Sequence, residues 1–315
     1  MQSIFSNRAS AIIFNLIKQY NSGVYLLPAN ICSIVPLTFM KAGVKFEFVD
    51  ICPNSLCINE ASVLHLIRNR PEKYAGIVYV HSYGAIQNTI NFFKKIKQIS
   101  EQIKIIDDRC LCIPDFDQTG SLIADLIVYS TGYGKYVDIG YGAFGYHNGA
   151  LKIVNCGEQF YEKSIQKLNE QIKKCLFSKN KITTDITDWL DTYISFIIPK
   201  AYRDKVNDMK EKVSQHKTII NSIYSNNLPQ EIQLQSNFNQ WRFNIQVDNK
   251  EIIVKAIFKN NLFASSHYVP SNILFDDNYF CETEKLSSRI INLFNDFHFN
   301  EEKALRVCNT INKFL

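Results

Sequence analysis

The chain has 315 residues, a length that suits about two domains. A hydrophobic share of 46% with 13% aromatic residues is enough for a large buried core and excludes intrinsic disorder. The net charge of +5 is spread along the chain, with no basic run longer than Lys94-Lys95 and Lys97, which argues against a nucleic-acid-binding stripe.

The first half alternates. Residues 8–20 carry apolar side chains at helical spacing, Ile12, Ile13, Leu16 and Ile17. Residues 24–27 form a short apolar strand ending at Pro28, residues 33–41 a helix closed by Gly43, and residues 45–49 a strand. A helix at 60–69, a strand at 76–81, a helix at 89–99, a strand at 104–106 and another at 126–129 follow. Strands separated by helices of about ten residues mean βαβ units and a mainly parallel sheet. Polar residues stand just past the strands' carboxyl ends, at His81, Asp108 and Ser130. That edge is where open α/β sheets bind ligands.

All twelve glycines lie at or before Gly157, so the tight corners belong to the first half. Residues 1–157 are therefore read as a large domain, and 158–315 as a helical connector followed by a smaller domain. The second half opens with polar helical stretches at 158–176 and about 202–224, joined by a polar connector at 178–185. Segments 240–247 and 251–257 precede a loop at 265–270, and a last helix covers 300–314.

Several features point away from particular chemistries. The nine cysteines are odd in number and irregular in spacing, which reads as reduced intracellular thiols. Cys110-Leu-Cys112 is not a CxxC pair and has no second pair at zinc-binding distance, so no metal site is expected. The N-terminal residues lack the pattern of a secretory leader, and the longest apolar stretches are far shorter than the roughly 20 residues needed to span a bilayer. The expectation is a cytoplasmic protein with no membrane partner. Gly140-Tyr-Gly142-Ala-Phe-Gly145 spells GxGxxG, but the residues after it read as a hairpin rather than a helix, which argues against a dinucleotide site.

Three pieces of the first half combine into one chemistry. Asp107-Asp108 places a carboxylate at a strand end, and Lys135 follows the strand-end Ser130 by five residues. Ser6-Asn-Arg8-Ala9-Ser10 opens a helix. An imine-forming lysine, a carboxylate for a pyridinium nitrogen, and hydroxyls with helix amides for a phosphate are what pyridoxal 5'-phosphate requires. Each piece alone has an ordinary reading as a solvated lysine, a turn or a helix cap.

The same residues carry a resemblance to the DegT/DnrJ/EryC1/StrS family of sugar aminotransferases. Leu26-Leu27-Pro28-Ala29 through Ala42-Gly43 and Phe48-Val49-Asp50 resembles the family's strand–Pro–helix–Gly–strand–Asp run. Val80-His81-Ser-Tyr-Gly84 resembles its V-H-x-x-G, and Ile105-Ile106-Asp107-Asp108 the strand that ends in its cofactor aspartate. Ser130 to Lys135 has the family's serine-to-lysine spacing, and Ser266-His267-Tyr268-Val-Pro270 resembles its H-Y-x-P. The match is strong over residues 24–145 and looser beyond.

The resemblance implies a pyridoxal-phosphate-dependent transferase of fold type I, with a mainly parallel central sheet flanked by helices and a smaller α+β C-terminal domain. It implies that Lys135 holds the cofactor and moves protons, that Asp108 faces the pyridine nitrogen, and that Ser130, Ala9 and Ser10 hold the phosphate. Arg8 suits a phosphate or an acidic substrate on chemical grounds. Cys32 stands where the family has an aromatic residue against the ring, and Leu111 where it has a Gln or His. His81 is placed beside the cofactor by its motif. His267 and Arg242 are assigned to substrate from the smaller domain, with a structural role at a strand edge equally open for Arg242. The implied reaction moves an amino group from an amino acid, glutamate in much of the family, to a nucleotide-linked keto-sugar, within a homodimer. The altered positions leave two other readings open: a different pyridoxal-phosphate reaction, or a binding or scaffold protein on the same fold. Substrate choice is expected to sit in the loops at 114–120 and 178–188.

Overall fold

A computed structural model describes residues 1–117 and 123–315, so the expected specificity loop at 114–120 lies partly outside the described residues. Seven strands, β1 (Gln2–Ser6), β2 (Val24–Pro28), β3 (Phe46–Val49), β4 (Tyr74–Val80), β5 (Lys104–Asp108), β6 (Leu126–Ser130) and β7 (Ala143–His147), form one sheet in the order β1-β7-β6-β5-β4-β2-β3. Pairing is parallel from β3 through β6; β7 runs antiparallel to both β6 and β1. The helices between the strands are α1 (Ala9–Gln19), α2 (Ile34–Ala42), α3 (Glu60–Asn69) and α4 (Ile90–Ile99). The alternation read from the sequence is present, and Gly43 closes α2 in the left-handed conformation.

The strands are buried on both faces, as parallel strands between helix layers are. Successive side chains point to opposite faces. Leu27, Val78, Ile106 and Val128 pack with α1 and α2, whereas Leu26, Ile77, Ile105, Ile127 and Tyr129 pack with α3 and α4. This parity decides what each strand end presents: Asp108 and Ser130 fall on the α1–α2 face, and Asp107 on the other.

Two strand boundaries differ from the sequence reading. β1 was not anticipated. It is a five-residue edge strand whose partner β7 lies some 140 positions away, from Gln2 opposite His147 to Ser6 opposite Ala143. β5 runs through Asp108 rather than ending at Ile106, because β4 pairs with it up to Val80 opposite Asp108. The two carboxylates therefore belong to the strand and not to a turn after it.

In the second half, α5 (Glu162–Ser178) and the segment through Ile194 join the apolar cluster of α1 and α2, through Leu168, Ile172, Trp189 and Leu190. Helix α6 (Lys200–Asn227) is 28 residues, about 42 Å at 1.5 Å per residue. Tyr202 and Val206 pack near the large sheet, and Ile220 and Tyr224 reach a second core. That core is built on β8 (Phe243–Gln246), β9 (Ala264–Ser265) and β10 (Ile290–Leu293), an antiparallel sheet in the order β8-β10-β9. Helices α7 (Lys250–Lys259), α8 (Asn272–Phe275), α9 (Cys281–Arg289) and α10 (Glu301–Ile311) complete the chain. No helix among the described residues is long and apolar enough to cross a membrane.

Candidate active site

A cavity of about 450 Å³ opens at the carboxyl ends of β4, β5 and β6, on the α1–α2 face. Its lining includes Arg8, Ala9, Ser10, Cys32, Asp108, Ser130 and Lys135. Seven positions singled out in the sequence thus meet in one place.

The two aspartates of β5 are separated by the strand's parity. Asp107 is buried and bound on the far face: His81 Nε2 lies 2.7 Å from Oδ1, and Arg109 donates to Oδ2 at 2.8 and 3.0 Å. Burial alone would raise its pKa, but the His81 hydrogen bond and the Arg109 charge outweigh burial and hold it below the usual carboxylate value. His81 Nδ1 accepts the Gln87 N–H at 3.0 Å, so its proton resides on Nε2, directed at Asp107. Asp108 accepts the backbone N–H of Cys110 at 2.9 Å and faces the cavity. Burial, followed by the charge of Asp108, pushes the Cys110 thiol well above its ordinary pKa, so it stays protonated beside the carboxylate.

Lys135 is carried by the loop between β6 and β7. Asp138 ties that loop, accepting Gly134 N–H at 2.7 Å and Gly140 N–H at 2.9 Å. Ile139 N–H donates to Thr131 O at 3.0 Å, and Trp241 Nε1 donates to Gly134 O at 2.6 Å. Gly142 has φ +93°, and a Cβ there would stand 2.4 Å from the Tyr202 ring. The GxGxxG residues are thus turn positions and part of β7, and no helix follows them. Among the described residues no acidic side chain pairs with Lys135.

Opposite, α1 begins at the cavity wall. Its first turn carries no acidic residue, Arg8 occupies the N-cap position in extended conformation, and Ser10 is buried in the first turn. Unsatisfied amides at a helix start and a neighbouring guanidinium favour a phosphate-sized anion. Ser130 lies on the same lining, its hydroxyl 3.4 Å from the Gly132 nitrogen.

Three assigned residues lie elsewhere. His81 is fully buried against Asp107 and does not line the cavity; it braces the strand end instead. The Arg242 guanidinium is clamped between the rings of Trp241 and Phe294, at 4.4 and 3.9 Å, with a hydrogen bond to Ser265, and it is not part of this cavity's lining. Burial lowers the Arg242 pKa to about 10, which leaves it charged near pH 7. His267 lines a second cavity, of about 250 Å³, which adjoins the first through Ile31, Cys32 and Tyr268. Burial, then the charges of Arg242 and Lys135, lower the His267 pKa to about 4, so the ring is neutral near pH 7.

The cavity also contains residues that sequence reasoning missed. Tyr268 lines both cavities, and burial, then its surroundings, pushes its phenol well above its ordinary pKa. It belongs to the same short motif as His267, the residue that the sequence reading assigns to substrate. Asn7, Tyr133, Tyr141, Glu162 and Asp191 complete the rim. Nothing local in the sequence marks Glu162 or Asp191, which come to the rim from α5 and from the segment before α6.

No protein-family model and no curated protein matches the sequence. Solved structures do. A PLP-dependent aminotransferase described as putative, from Bacillus cereus, superposes with TM-score 0.73 at 16% identity, over 98% of this chain and 85% of that one. A DegT DnrJ EryC1 StrS aminotransferase from Brucella abortus gives TM-score 0.68 at 17% identity, over 99% and 85%. PseC from Helicobacter pylori, an aminotransferase involved in the biosynthesis of pseudoaminic acid, gives 0.70 at 16%, over 99% and 86%. Such coverage leaves no element of the chain without a counterpart region: this chain has the fold of the DegT/DnrJ/EryC1/StrS aminotransferases.

Proposed function

We propose that the protein is a pyridoxal-phosphate-dependent aminotransferase acting on a keto-sugar. The observation that carries this reading is one cavity lined together by Lys135, Asp108, Ser130 and the start of α1. The residues fit the cofactor by their chemistry: an unpaired amine, a carboxylate with free acceptor capacity, and hydroxyl, amide and guanidinium donors for a phosphate.

Pyridoxal phosphate, when bound, supplies a conjugated ring that accepts the electrons released when the amino acid's α-carbon loses its proton. The chain supplies the rest. Lys135 would hold the cofactor through its amine, and the free amine would serve as the base that takes the α-proton at Nζ and delivers it to a different carbon. Asp108 presents a negative charge that keeps the ring nitrogen protonated, and the buried Asp107–His81–Arg109 group fixes the strand end that aims it. Ser130, Arg8 and the α1 amides anchor the phosphate. Glu162 and Asp191 offer acceptors to sugar hydroxyls at the rim. The sugar class follows the neighbours, whose names include sugar aminotransferases.

The proposal includes a homodimer. Tyr133, Tyr193 and Ile197 are 83%, 59% and 75% exposed, large apolar side chains of the kind that a partner subunit covers, and Tyr133 lines the cavity itself. A nucleotide-linked keto-sugar is the proposed acceptor, and glutamate the proposed donor.

The test is to add pyridoxal phosphate, record the visible spectrum, reduce with borohydride and map the labelled peptide. Label on Lys135 is expected, and Lys135→Ala should lose both label and amino transfer while keeping its far-ultraviolet circular dichroism. A wild-type protein left unlabelled overturns the proposal in favour of a scaffold. Label with carbon dioxide or ammonia released in the absence of a keto acceptor would replace transfer by decarboxylation or elimination.

A further inference from the structure

Trp241 stands where four parts of the chain meet. It is buried, it is not in the lining of either cavity, and it comes from the segment before β8, 107 positions from Gly134. Three other segments hold it. Its ring stacks on Tyr83, just past β4, with 6.4 Å between ring centres and 14° between planes, and its backbone N–H donates to Tyr83 O at 3.3 Å. The His267 ring meets it edge to face at 5.6 Å, and its carbonyl accepts from Lys217 of α6 at 2.7 Å. The Arg242 guanidinium covers its ring at 4.4 Å. A side chain fixed in this way is a rigid donor, and its indole N–H donates to Gly134 O at 2.6 Å.

That carbonyl belongs to the peptide plane from which Lys135 starts. The plane's other polar group, the Lys135 N–H, donates to Gly132 O at 3.3 Å, which is long for an amide. The indole bond is much the shorter, so it dominates the plane's orientation. Gly134 has φ +68° and no side chain, so its backbone turns freely unless something holds it. Asp138 holds its N–H from within the loop, and Trp241 holds its carbonyl from outside. After Lys135 comes Tyr136, which is buried; its hydroxyl lies 2.9 Å from Ser214 Oγ of α6, and the Lys217 ammonium lies 5.2 Å from its ring centre. Both chain neighbours of Lys135 are therefore pinned. The lysine stem itself is flexible, so what the fold can fix is its point of departure.

We propose that Trp241 is a positioning residue for Lys135: by holding the Gly134 carbonyl, its indole N–H sets where the lysine amine reaches. The assignment rests on the amino-transfer reading and adds to it a residue outside the cavity lining. It predicts a defect in the rate at which Lys135 bonds to pyridoxal phosphate. Affinity for the phosphate end is not affected, since Arg8, Ser10 and Ser130 are untouched.

Trp241→Phe keeps an aromatic ring against Tyr83 and Arg242 and removes the N–H. Benzothienylalanine in place of Trp241 keeps the ring outline and exchanges only the N–H for sulfur, so it tests the donor even if Trp241→Phe fails to fold. Pyridoxal phosphate is mixed with the cofactor-free protein over a range of concentrations. The absorbance change is followed as the Lys135 amine condenses with the aldehyde and releases water. Both substitutions are expected to lower the limiting rate by about ten- to a hundredfold, the scale of a misplacement of about 1 Å. The half-saturating concentration should stay at the wild-type value. Phe294→Leu removes the ring on Arg242's other face and leaves the indole donor in place, so its rate should match wild type. A wild-type rate in the benzothienylalanine protein overturns the assignment. Equal slowing by Phe294→Leu also overturns it, because the effect is then a general loosening of this core. Hydrogen exchange without cofactor is a second readout: the Lys135 and Ile139 amides should exchange faster in the benzothienylalanine protein, and unchanged exchange there overturns the assignment too. Failure of the amino-transfer reading is separate, since it shows as a wild-type protein that gains neither the absorbance nor the borohydride label.

Discussion

At the residue scale the site turns on which of two adjacent aspartates faces the cavity. The resemblance singles out Asp108 over its neighbour Asp107, and strand parity supplies the physical reason by making the two opposites. Asp107 is neutralised by His81 and Arg109, and Asp108 keeps acceptor capacity toward the cavity. Asp108→Asn retains an oxygen for the Cys110 N–H and removes the charge. It should therefore leave the thermal midpoint near that of wild type and lower turnover by about two to three orders of magnitude, the scale seen when a preorganised charge is taken from a reacting centre. Steady-state kinetics beside a thermal melt checks this. Turnover within a factor of a few of wild type would remove Asp108 from the mechanism. Lys135, Ser130 and Arg8 were legible because their types and local spacing carry the chemistry. Tyr268 and the rim carboxylates were not, because their positions depend on segments far along the chain.

At the scale of elements, short-range patterning accounts for the helices α1 to α4 and the strands between them. Asp50, just past β3, shows what patterning omits. Its carboxylate accepts the N–H groups of Glu282 and Thr283 at 2.9 Å each and the Thr283 hydroxyl at 2.8 Å, so a residue from the first half caps α9 in the second. No capping residue precedes α9 locally, since Phe280 stands at its N-cap position with no side-chain bond. Asp50→Ala should cost about 1–2 kcal/mol, the range of a lost helix cap. Hydrogen exchange is the sensitive readout, with faster exchange expected at the amides of Glu282 and Thr283. Unchanged protection there would show that the cap contributes nothing. β1 belongs to the same class of feature, as a strand whose partners, β7 on one side and Ser195 on the other, lie far along the chain.

At the scale of the whole molecule, α6 links the two cores, and Lys217 is buried within that link. Its ammonium donates to Trp241 O at 2.7 Å and to Asn295 Oδ1 at 2.6 Å, both neutral acceptors. Burial lowers its pKa to about 7 from the ordinary 10.5, against an opposing pull from Asp296. Below pH 7 the lysine is charged whether folded or unfolded. Between about pH 7 and 10.5 the unfolded chain holds a proton that the folded chain has released, so this group makes stability rise with pH across that window. The slope approaches 1.4 kcal/mol per pH unit for one full proton. Lys217→Met should remove that rise. Thermal midpoints of the two proteins from pH 6 to 10 measure it, and parallel curves would refute the assignment. Thiols with raised pKa values, such as Cys57 and Cys308, push the other way at high pH, so the comparison with the variant isolates the lysine.

The sequence by itself carried the βαβ alternation and mainly parallel sheet of the first half, which follow from local periodicity, and the residue types on which the cofactor proposal rests: a lysine, a strand-end aspartate and a helix start. The finer fold class came from the resemblance to a known family. Only the tertiary structure decided why Asp108 and not Asp107 faces the cavity, that His81 lies behind the strand end against Asp107, that His267 lines the second cavity, and that Tyr268, Glu162 and Asp191 line the first. Each of these depends on which face of a strand a side chain leaves from, or on contacts between segments more than a hundred residues apart. Side-chain parity depends on where a strand begins its pairing, and pairing is set by the partner strands rather than by the strand's own residues.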